Sequence, residues 1–209
     1  MKIAIVVTGG NAPLFIPDTL PINDAYIIAA DSGLDIAEIL GLKCDLAVGD
    51  FDSIKNLTLL SNISFKEYPI DKDYSDTELA IKHIKDKGYE NYVLIGGGEG
   101  RMDHLLNIWS LFDKYGSPIC WITRKEAMYL VDGKRSFVTA NGESLSIIPA
   151  TLQEKAEVNC DDLKWKLKNY KVNNSHLSLS NEVTKGNLSL ESKGGKVYVV
   201  FENPRENHW

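Results

Sequence analysis

The chain has 209 residues, of which 44% are hydrophobic and 25% charged, and a chain of this length can bury an apolar core without disulfides or structural metals. Its formal net charge of −6 argues against nonspecific binding to nucleic acid or to an anionic membrane. The charge does not exclude a phosphate ligand, because a metal ion can lie between acidic side chains and phosphates.

The first apolar run, residues 3–7, is too short for the hydrophobic region of a signal peptide and is better interpreted as a buried strand. No apolar stretch reaches the length that a membrane span requires. The three cysteines, Cys44, Cys120 and Cys160, lack the spacing of metal ligands and are expected to be reduced thiols. We therefore expect a cytoplasmic protein with neither nucleic acid nor a membrane among its partners.

The first part of the chain alternates short apolar runs with segments of helical period. Ser75 and Glu78 form a capping-box pattern at the start of a helix that begins near Asp76. Strands that alternate with helices predict an α/β fold, a mostly parallel sheet with flanking helices. The predicted strands are residues 3–7, 26–30, 45–48, 63–68, 91–95 and 119–123, and the predicted helices are 33–40, 76–87 and 103–115.

The pattern changes after about residue 133, where short runs are separated by turn residues and no helix of normal length fits. Asn141-Gly142 and Gly194-Gly195 are typical of hairpin turns. We expect a smaller all-β sandwich domain here, with a boundary that divides the chain into residues 1–132 and 133–209. Its predicted strands are residues 136–139, 143–148, 155–159, 163–167, 186–190 and 196–201.

Four acidic or glycine-rich loops follow predicted strands of the first domain. Ligands bind outside the carboxyl ends of the strands in an open parallel sheet, so these loops are expected to share one rim. Taken singly, each acidic residue has a structural explanation as a helix cap, a helix-dipole partner or a turn residue. Taken together they favour a functional site, because capping and turns do not require so many carboxylates to converge. The loops are residues 31–33, 49–53, 71–76 and 96–104.

The acidic loops predict a magnesium site. Asp50 and Asp52, spaced by two, are expected to share one hard cation with Asp73 or Asp76 of the neighbouring loop. Magnesium in proteins favours one or two carboxylates, several waters and substrate phosphates. Like charges crowded in this way repel one another, so a metal ion is the natural occupant.

The glycine-rich loop predicts a phosphate contact. Glycines 96–98 and Gly100 would let backbone N–H groups approach a phosphate just before a helix, and Arg101 would add a bidentate contact. A flexible turn with a surface arginine is the structural alternative. His104 beside Asp103 is either an acid–base partner or a packing residue. Neither a Walker-type nor a dinucleotide-binding motif is present.

The ordered motifs resemble those of the thiamine pyrophosphokinase family, and the resemblance spans roughly residues 25–200. It implies an enzyme that transfers pyrophosphate from ATP to the hydroxyl of thiamine, with Mg²⁺. It also implies an α/β domain that binds ATP and a β-sandwich domain that completes the thiamine site. Members are homodimers, with thiamine bound between the first domain of one subunit and the second domain of its partner. The motifs are residues 31–33, 49–53, 73–76, 100–104, 162–167 and 179–182.

The resemblance also implies a role for each matching residue. It implies that Asp50, Asp52 and Asp76 hold magnesium and the ATP phosphates, and that Asp73 orients or deprotonates the thiamine hydroxyl. It implies that Arg101 and Asp103 contact the nucleotide. Asp31 and Gly33 are expected to belong to the same cleft. For thiamine it implies that Trp165 stacks on the ligand and that Ser180 and Asn181 bind its aminopyrimidine. Lys72 stands where some relatives carry glutamine, and it is expected to contact thiamine or phosphate.

A tryptophan face suits thiamine on physical grounds, because the ligand is a cation with two aromatic rings. A tryptophan of the domain core is the structural alternative for Trp165. Two other functions fit the acidic rim. One is a magnesium-dependent hydrolase of nucleotides or phosphate esters, and the other is a non-catalytic sensor that binds nucleotide or thiamine.

Overall fold

The computed structural model describes residues 2–202 and His208, and its contacts divide the chain into two compact units. The first unit comprises residues up to Leu14 together with Pro21–Arg124. The second comprises Phe15–Leu20 and the residues from Lys125 onward. The chain therefore enters the second unit briefly before it completes the first.

The first unit contains a six-stranded parallel sheet. Its strands are β1 (Ile3–Val7), β2 (Tyr26–Ala30), β3 (Leu46–Gly49), β4 (Phe65–Glu67), β5 (Asn91–Ile95) and β6 (Cys120–Ile122). They pair in parallel in the order β4-β3-β2-β1-β5-β6. Four of the five residues in each of β1, β2 and β5 are buried, as expected for central strands covered on both faces. The mostly parallel sheet predicted from the sequence is confirmed.

Three α-helices accompany this sheet: α1 (Gly33–Ile39), α2 (Asp76–Asp86) and α3 (Met102–Tyr115). Short 3₁₀ turns lie at Ile22–Asp24 and Leu57–Asn62. The hydroxyl of Ser75 accepts a hydrogen bond from the Glu78 N–H, which confirms the predicted cap of α2.

The second unit contains six strands, and every pairing among them is antiparallel within the described residues. They are β7 (Glu126–Val138), β8 (Ser144–Pro149), β9 (Ala156–Cys160), β10 (Leu167–Val172), β11 (Ser178–Glu182) and β12 (Asn187–Glu202). The strand β12 pairs with β7 along its length, and also with β9 and β8. The outer pairs are β10 with β9 and β11 with β8. The second unit is thus all-β, whereas its arrangement as a sandwich stays a prediction.

Several details of the predicted second domain are wrong, among them the strand at residues 163–167, which is replaced by β10 at Leu167–Val172. Residues 186–190 and 196–201 form one strand, β12, in which Gly194-Gly195 lies at a register shift and not in a hairpin turn. A Cβ atom on Gly195 would lie 2.2 Å from the Lys155 carbonyl oxygen, so this glycine permits a close approach of two backbones. The turn at Asn141-Gly142 joins β7 to β8, which both pair with β12.

The contact-based division differs from the predicted boundary between residues 132 and 133. Asp132 and Gly133 lie inside β7, so the chain continues as a strand through the expected linker. The contacts place the division between Arg124 and Lys125 instead. A turn-forming sequence at Asp132-Gly133 suggested a linker, but the neighbouring strand β12 holds both residues in the ladder or at its register shift.

None of the helices in the described part of the chain is long and apolar enough to span a membrane. Among the described residues the three cysteines form no disulfide, as predicted. Of the tail from Asn203 to Trp209, only His208 lies among the described residues. Its ring is buried and stacks on Phe201 at 4.0 Å.

Candidate active site

A cleft of about 560 Å³ lies in the first unit at the carboxyl ends of its parallel strands. Its walls come from the loops after β1, β2, β3, β4 and β5 and from the starts of α2 and α3. The structure therefore brings the four predicted loops to one rim, as the parallel sheet requires. Six of the predicted site residues line this cleft: Asp31, Asp50, Asp52, Lys72, Asp76 and Arg101.

Asp31, Asp50 and Asp52 form a carboxylate cluster, in which one oxygen from each residue lies within 4.8 Å of the others. The backbone of Asp31 has a left-handed φ of 47°, and its N–H donates to the Val48 carbonyl oxygen at 2.8 Å. Burial, followed by repulsion from Asp50 and Asp52, raises the pKa of Asp31 above its ordinary value. The backbone thus holds the Asp31 carboxylate close to Asp50 and Asp52 although the charges repel one another.

Lys72 joins Asp50 to Asp76 across the cleft. Its Nζ atom lies 2.5 Å from Asp50 Oδ2 and 3.1 Å from Asp76 Oδ1. The hydrogen bond from Lys72 lowers the pKa of Asp50. Burial lowers the pKa of Lys72 itself, but the hydrogen bonds to the two carboxylates outweigh burial and leave this pKa raised. Burial raises the pKa of Asp76 more than Lys72 lowers it.

The donor set fits a magnesium ion. The Oδ1 atom of Asp31 is buried and accepts no hydrogen bond from the residues that the structure describes. The Oδ1 atom of Asp76 is buried too, and it has only the ion-pair contact with Lys72 there. Several carboxylate oxygens that converge with lone pairs to spare are the hard ligands that magnesium prefers. The sequence prediction grouped Asp76 with Asp50 and Asp52, whereas the tightest cluster contains Asp31 in its place.

The glycine-rich loop is arranged differently from the prediction. The N–H groups of Gly96 and Gly97 donate to the carbonyl oxygens of Ile122 and Gly9, each at 2.9 Å, so they are not available to a phosphate. Gly97 has a left-handed φ of 74°, which favours glycine, and a Cβ atom there would lie 2.5 Å from Ile108 Cδ1. Gly97 and Gly100 still line the cleft with their backbones.

Arg101 is 73% exposed and lines the cleft, where its guanidinium group forms two hydrogen bonds to Asp103 at 2.5 and 3.1 Å. Asp103 also accepts a hydrogen bond from the His104 N–H, and the Arg101 hydrogen bond lowers the pKa of Asp103. Because the guanidinium group has five N–H donors, it retains donors for an anion while bound to Asp103. His104 lines the cleft as well.

Three predicted residues of the first unit lie outside the lining of the cleft: Asp103, which pairs with Arg101, and also Asp73 and Gly33. Asp73 is exposed in the loop between Lys72 and α2. Gly33 is buried at the start of α1, where a Cβ atom would lie 2.2 Å from the Val7 carbonyl oxygen. This glycine lets α1 pack against the end of β1, and its direct contact with a ligand stays a prediction.

The sequence analysis missed several polar residues of the cleft. The Asn107 amide on α3 donates to the Ser75 hydroxyl at 3.0 Å and so ties α3 to the cap of α2. The hydroxyls of Thr8 and Thr77 lie 2.5 Å apart in a buried contact. A polar side chain between apolar neighbours was the only available signal for Asn107, since its partner lies 32 residues away.

The predicted thiamine-binding residues lie in the second unit. Trp165 is 57% exposed, so it is not the core tryptophan of the structural alternative. Asn181 is buried, and its amide accepts from the Trp165 N–H at 3.2 Å and donates to the Trp165 carbonyl at 2.8 Å. Asn181 thereby fixes the backbone that presents the indole. Ser180 has a left-handed φ of 51°, and its N–H donates to the Ser146 hydroxyl.

Comparison with known proteins relates the chain to enzymes of thiamine metabolism. Residues 18–120 match the family model described as thiamin pyrophosphokinase, catalytic domain. The chain is 27% identical, over 194 residues, to thiamin pyrophosphokinase 1 of Caenorhabditis elegans, with 84% of this chain and 78% of that protein covered.

Solved structures share the fold. The thiamin pyrophosphokinase family protein of Enterococcus faecalis superposes with a TM-score of 0.75 at 22% identity, and the match covers 98% of this chain and all of that chain. The thiamine pyrophosphokinase of Bacillus subtilis gives 0.74 at 22% identity, with the same coverage. That of Candida albicans gives 0.68 at 16%, with 97% and 90% covered.

Proposed function

The chain belongs to the thiamin pyrophosphokinase family, and from this premise we propose that it transfers the pyrophosphate group of ATP to the hydroxyl of thiamine. The products are thiamine pyrophosphate and AMP. The observation that carries the proposal is the convergence of Asp31, Asp50, Asp52 and Asp76 in one cleft at the carboxyl ends of parallel strands. Family membership supports pyrophosphate transfer and gives no comparable support to a hydrolase or to a non-catalytic sensor.

Magnesium would be held by Asp50, Asp52 and Asp76, with Asp31 as a further ligand because its Oδ1 atom has no hydrogen bond among the described residues. When bound, the ion neutralises charge on the phosphates of ATP. The pKa of Asp50 is lowered, so this residue stays ionised and ready to coordinate a cation at neutral pH.

The remaining cleft residues would orient the reactants. Arg101 has donors for the phosphates, while Asp103 fixes its guanidinium group in place. Lys72 can supply a second positive charge at the transferred group. These contacts matter because phosphoryl transfer depends mainly on alignment and on neutralisation of charge.

In the reaction, the thiamine hydroxyl oxygen forms a bond to the β-phosphorus. The bond from that phosphorus to the oxygen that bridges it to the α-phosphate breaks, and AMP leaves with the electron pair. The hydroxyl proton passes to a carboxylate, for which Asp73 is the proposed acceptor. Asp73 is exposed, so its carboxylate is accessible to a bound alcohol.

For the thiamine site we propose Trp165 as the stacking surface, because its indole is exposed although its backbone is fixed by Asn181. Ser180 is proposed to contact the aminopyrimidine ring. Asn181 would do so only by giving up hydrogen bonds that it makes to Trp165, Glu182 or Ser178. We further propose a cytoplasmic homodimer, as in the family that the sequence resembles.

The test is to incubate pure protein with thiamine, ATP and magnesium and to separate the products by chromatography. We expect thiamine pyrophosphate and AMP in equal amounts. Asp76→Asn should lower the rate by at least about 100-fold, the usual loss when one charge-stabilising group is removed. The matched control is Asp86→Asn on the same helix, whose carboxylate pairs with exposed Lys82.

Other product patterns identify the alternatives. Free phosphate or ADP without thiamine pyrophosphate would assign the cleft to hydrolysis. Absence of any turnover, with nucleotide still bound, would leave the sensor function. An equal loss of rate in the Asp86→Asn control would mean that the effect of Asp76→Asn reflects helix stability and not the site.

A further inference from the structure

The ammonium group of Lys72 bridges two carboxylates of the cleft. It lies between one oxygen of Asp50 and one oxygen of Asp76, and the side chains of Lys72 and Asp50 are both only 11% exposed. An ammonium group that is largely shielded from solvent and has two carboxylate partners is a compact, fixed point charge. Asp50 and Asp76 are also two of the four residues proposed as ligands of magnesium.

A cation between these carboxylates reduces their mutual repulsion when no metal is bound. Asp31, Asp50 and Asp52 already crowd one another, and Asp76 adds a fourth negative charge to the cleft. Repulsion from Asp50 and Asp31 acts on Asp76, and Lys72 opposes it. Without the ammonium group, this part of the cleft would hold like charges with no compensating partner.

We propose that Lys72 is an internal stand-in for the metal: its ammonium group bridges Asp50 and Asp76 in the metal-free protein, and a divalent cation binds by displacing it. This inference rests on the magnesium site of the proposed function and adds a role for Lys72 that concerns the metal and not the reacting groups. The lysine is a positioning residue, since it holds both carboxylates at the spacing that a cation needs.

The displacement couples the metal to the nucleotide. A divalent ion that enters alone leaves the Lys72 ammonium group in the cleft without its two carboxylate partners. A nucleotide supplies phosphate oxygens that replace them. The metal therefore binds weakly by itself and more tightly with a phosphate ligand, and by thermodynamic reciprocity the phosphate ligand binds more tightly with the metal.

The test measures binding of Mn²⁺ to the metal-free protein by titration calorimetry, with neither ATP nor thiamine present. We expect Lys72→Met to bind Mn²⁺ at least about tenfold more tightly than the natural protein, within the usual range of coupling between sites. The matched control is Lys114→Met, which also removes one positive charge. Its ammonium group pairs with Glu78 on the same helix as Asp76, and this variant should change the affinity by less than about twofold.

A second measurement locates the Lys72 ammonium group in the metal-bound protein. In a crystal structure with Mn²⁺ located by anomalous scattering, Lys72 Nζ should have left hydrogen-bonding distance of at least one of Asp50 and Asp76. Unchanged Mn²⁺ affinity in Lys72→Met, no binding to either protein, or an ammonium group that keeps both contacts beside bound Mn²⁺ would each overturn the proposal. Where Lys72→Met does not fold, Lys72→Gln replaces it with the same expectation.

These outcomes are separate from those of the proposed reaction. The titration contains no substrate, so a protein that forms no thiamine pyrophosphate can still show displacement of Lys72. Conversely, thiamine pyrophosphate formation with unaltered metal affinity in Lys72→Met would support the enzyme and reject the role of the lysine.

Discussion

At the scale of single residues, the backbone is strained at two of the predicted site residues. Asp31 and Ser180 have left-handed φ values of 47° and 51°, as do Phe51 and Asn169 outside the proposed site, with 62° and 48°. Such conformations are unfavourable for residues with a Cβ atom and persist when surrounding contacts impose them. For Asp31 the imposed contact is the hydrogen bond to Val48. These strained backbone conformations therefore lower local stability while they set the orientation of the side chains.

We predict that Asp31→Asn stabilises the metal-free protein above the ordinary pKa of aspartate. Asparagine adopts left-handed backbone readily, and it removes a negative charge from the cluster with Asp50 and Asp52. The folded pKa of Asp31 is raised from 3.8, so the ionised carboxylate destabilises the folded state as pH rises through the folded pKa. The electrostatic part of this advantage should thus be absent at lower pH and grow toward neutrality.

The measurement is the melting temperature of both proteins, with metal chelated, over a pH series from about 4 to 8. The stabilisation should be of the order of 1 kcal/mol, since solvent in the open cleft screens the charges. Asp113→Asn, at an exposed position of α3, is the control for removal of one charge. A difference between Asp31→Asn and the natural protein that does not change with pH would contradict the prediction.

At the scale of elements, much of the first unit could be predicted from local patterns. The runs 3–7, 26–30 and 91–95 match β1, β2 and β5 because continuous apolar residues end at turn-forming ones. The start of α2 was equally clear, since Ser75 and Glu78 lie only three residues apart. The rim that collects the acidic loops follows from the parallel sheet alone.

Features that depend on distant partners could not be predicted in this way. The N–H of Gly97 is occupied by the Gly9 carbonyl oxygen, which is remote in sequence. Asp31 joins Asp50 and Asp52 although spacing favoured residues from the next loop. Similarly, Gly194-Gly195 has the composition of a hairpin, but its neighbours in β7 and β9 keep β12 extended. Local sequence specifies which backbone shapes are allowed, and packing selects among them.

The contact between β1 and α1 gives a prediction at this scale. Gly33→Ala should destabilise the protein by about 2 to 3 kcal/mol, a loss typical of overpacking, because the new Cβ atom would lie 2.2 Å from the Val7 carbonyl oxygen. Gly186→Ala is the matched control, since its Cβ atom would meet only Thr139 at 3.8 Å and should leave the stability nearly unchanged.

The two variants are compared by their melting temperatures. A natural melting temperature in Gly33→Ala together with weakened nucleotide binding would show that Gly33 acts on the ligand, as the motif resemblance implied. A lowered melting temperature with intact nucleotide binding in the folded fraction would assign it to packing.

At the scale of the whole molecule, each unit carries a different part of the proposed site. The acidic cleft belongs to the first unit, whereas Trp165, Ser180 and Asn181 belong to the second. The part in the first unit is dominated by charged carboxylates, whereas the part in the second unit presents an exposed aromatic side chain. Nucleotide and thiamine should therefore stabilise the protein through separate sets of residues.

We predict two separable increases in melting temperature. Magnesium with a non-hydrolysable ATP analogue, at about 100 times its dissociation constant, should contribute about 2.7 kcal/mol and raise the melting temperature by about 5 to 10 °C. Addition of thiamine should raise it further. Trp165→Ala should lose only the thiamine increment, and Leu152→Ala, at another exposed apolar position of the second unit, should keep both. An unchanged thiamine increment in Trp165→Ala would reject the stacking role.

The path of the chain between the units has a consequence for inheritance. The chain passes into the second unit after Leu14, returns at Pro21 and leaves the first unit again after Arg124. A gene crossover at codon 124 would therefore exchange most of the second unit but leave Phe15–Leu20 from the other parent. A chimera whose second unit comes from one parent would need Phe15–Leu20 and the residues from Lys125 onward to be replaced together. Chimeras with mismatched units should therefore be selected against. The nucleotide-binding and thiamine-binding residues of a single ancestor should accordingly be inherited together.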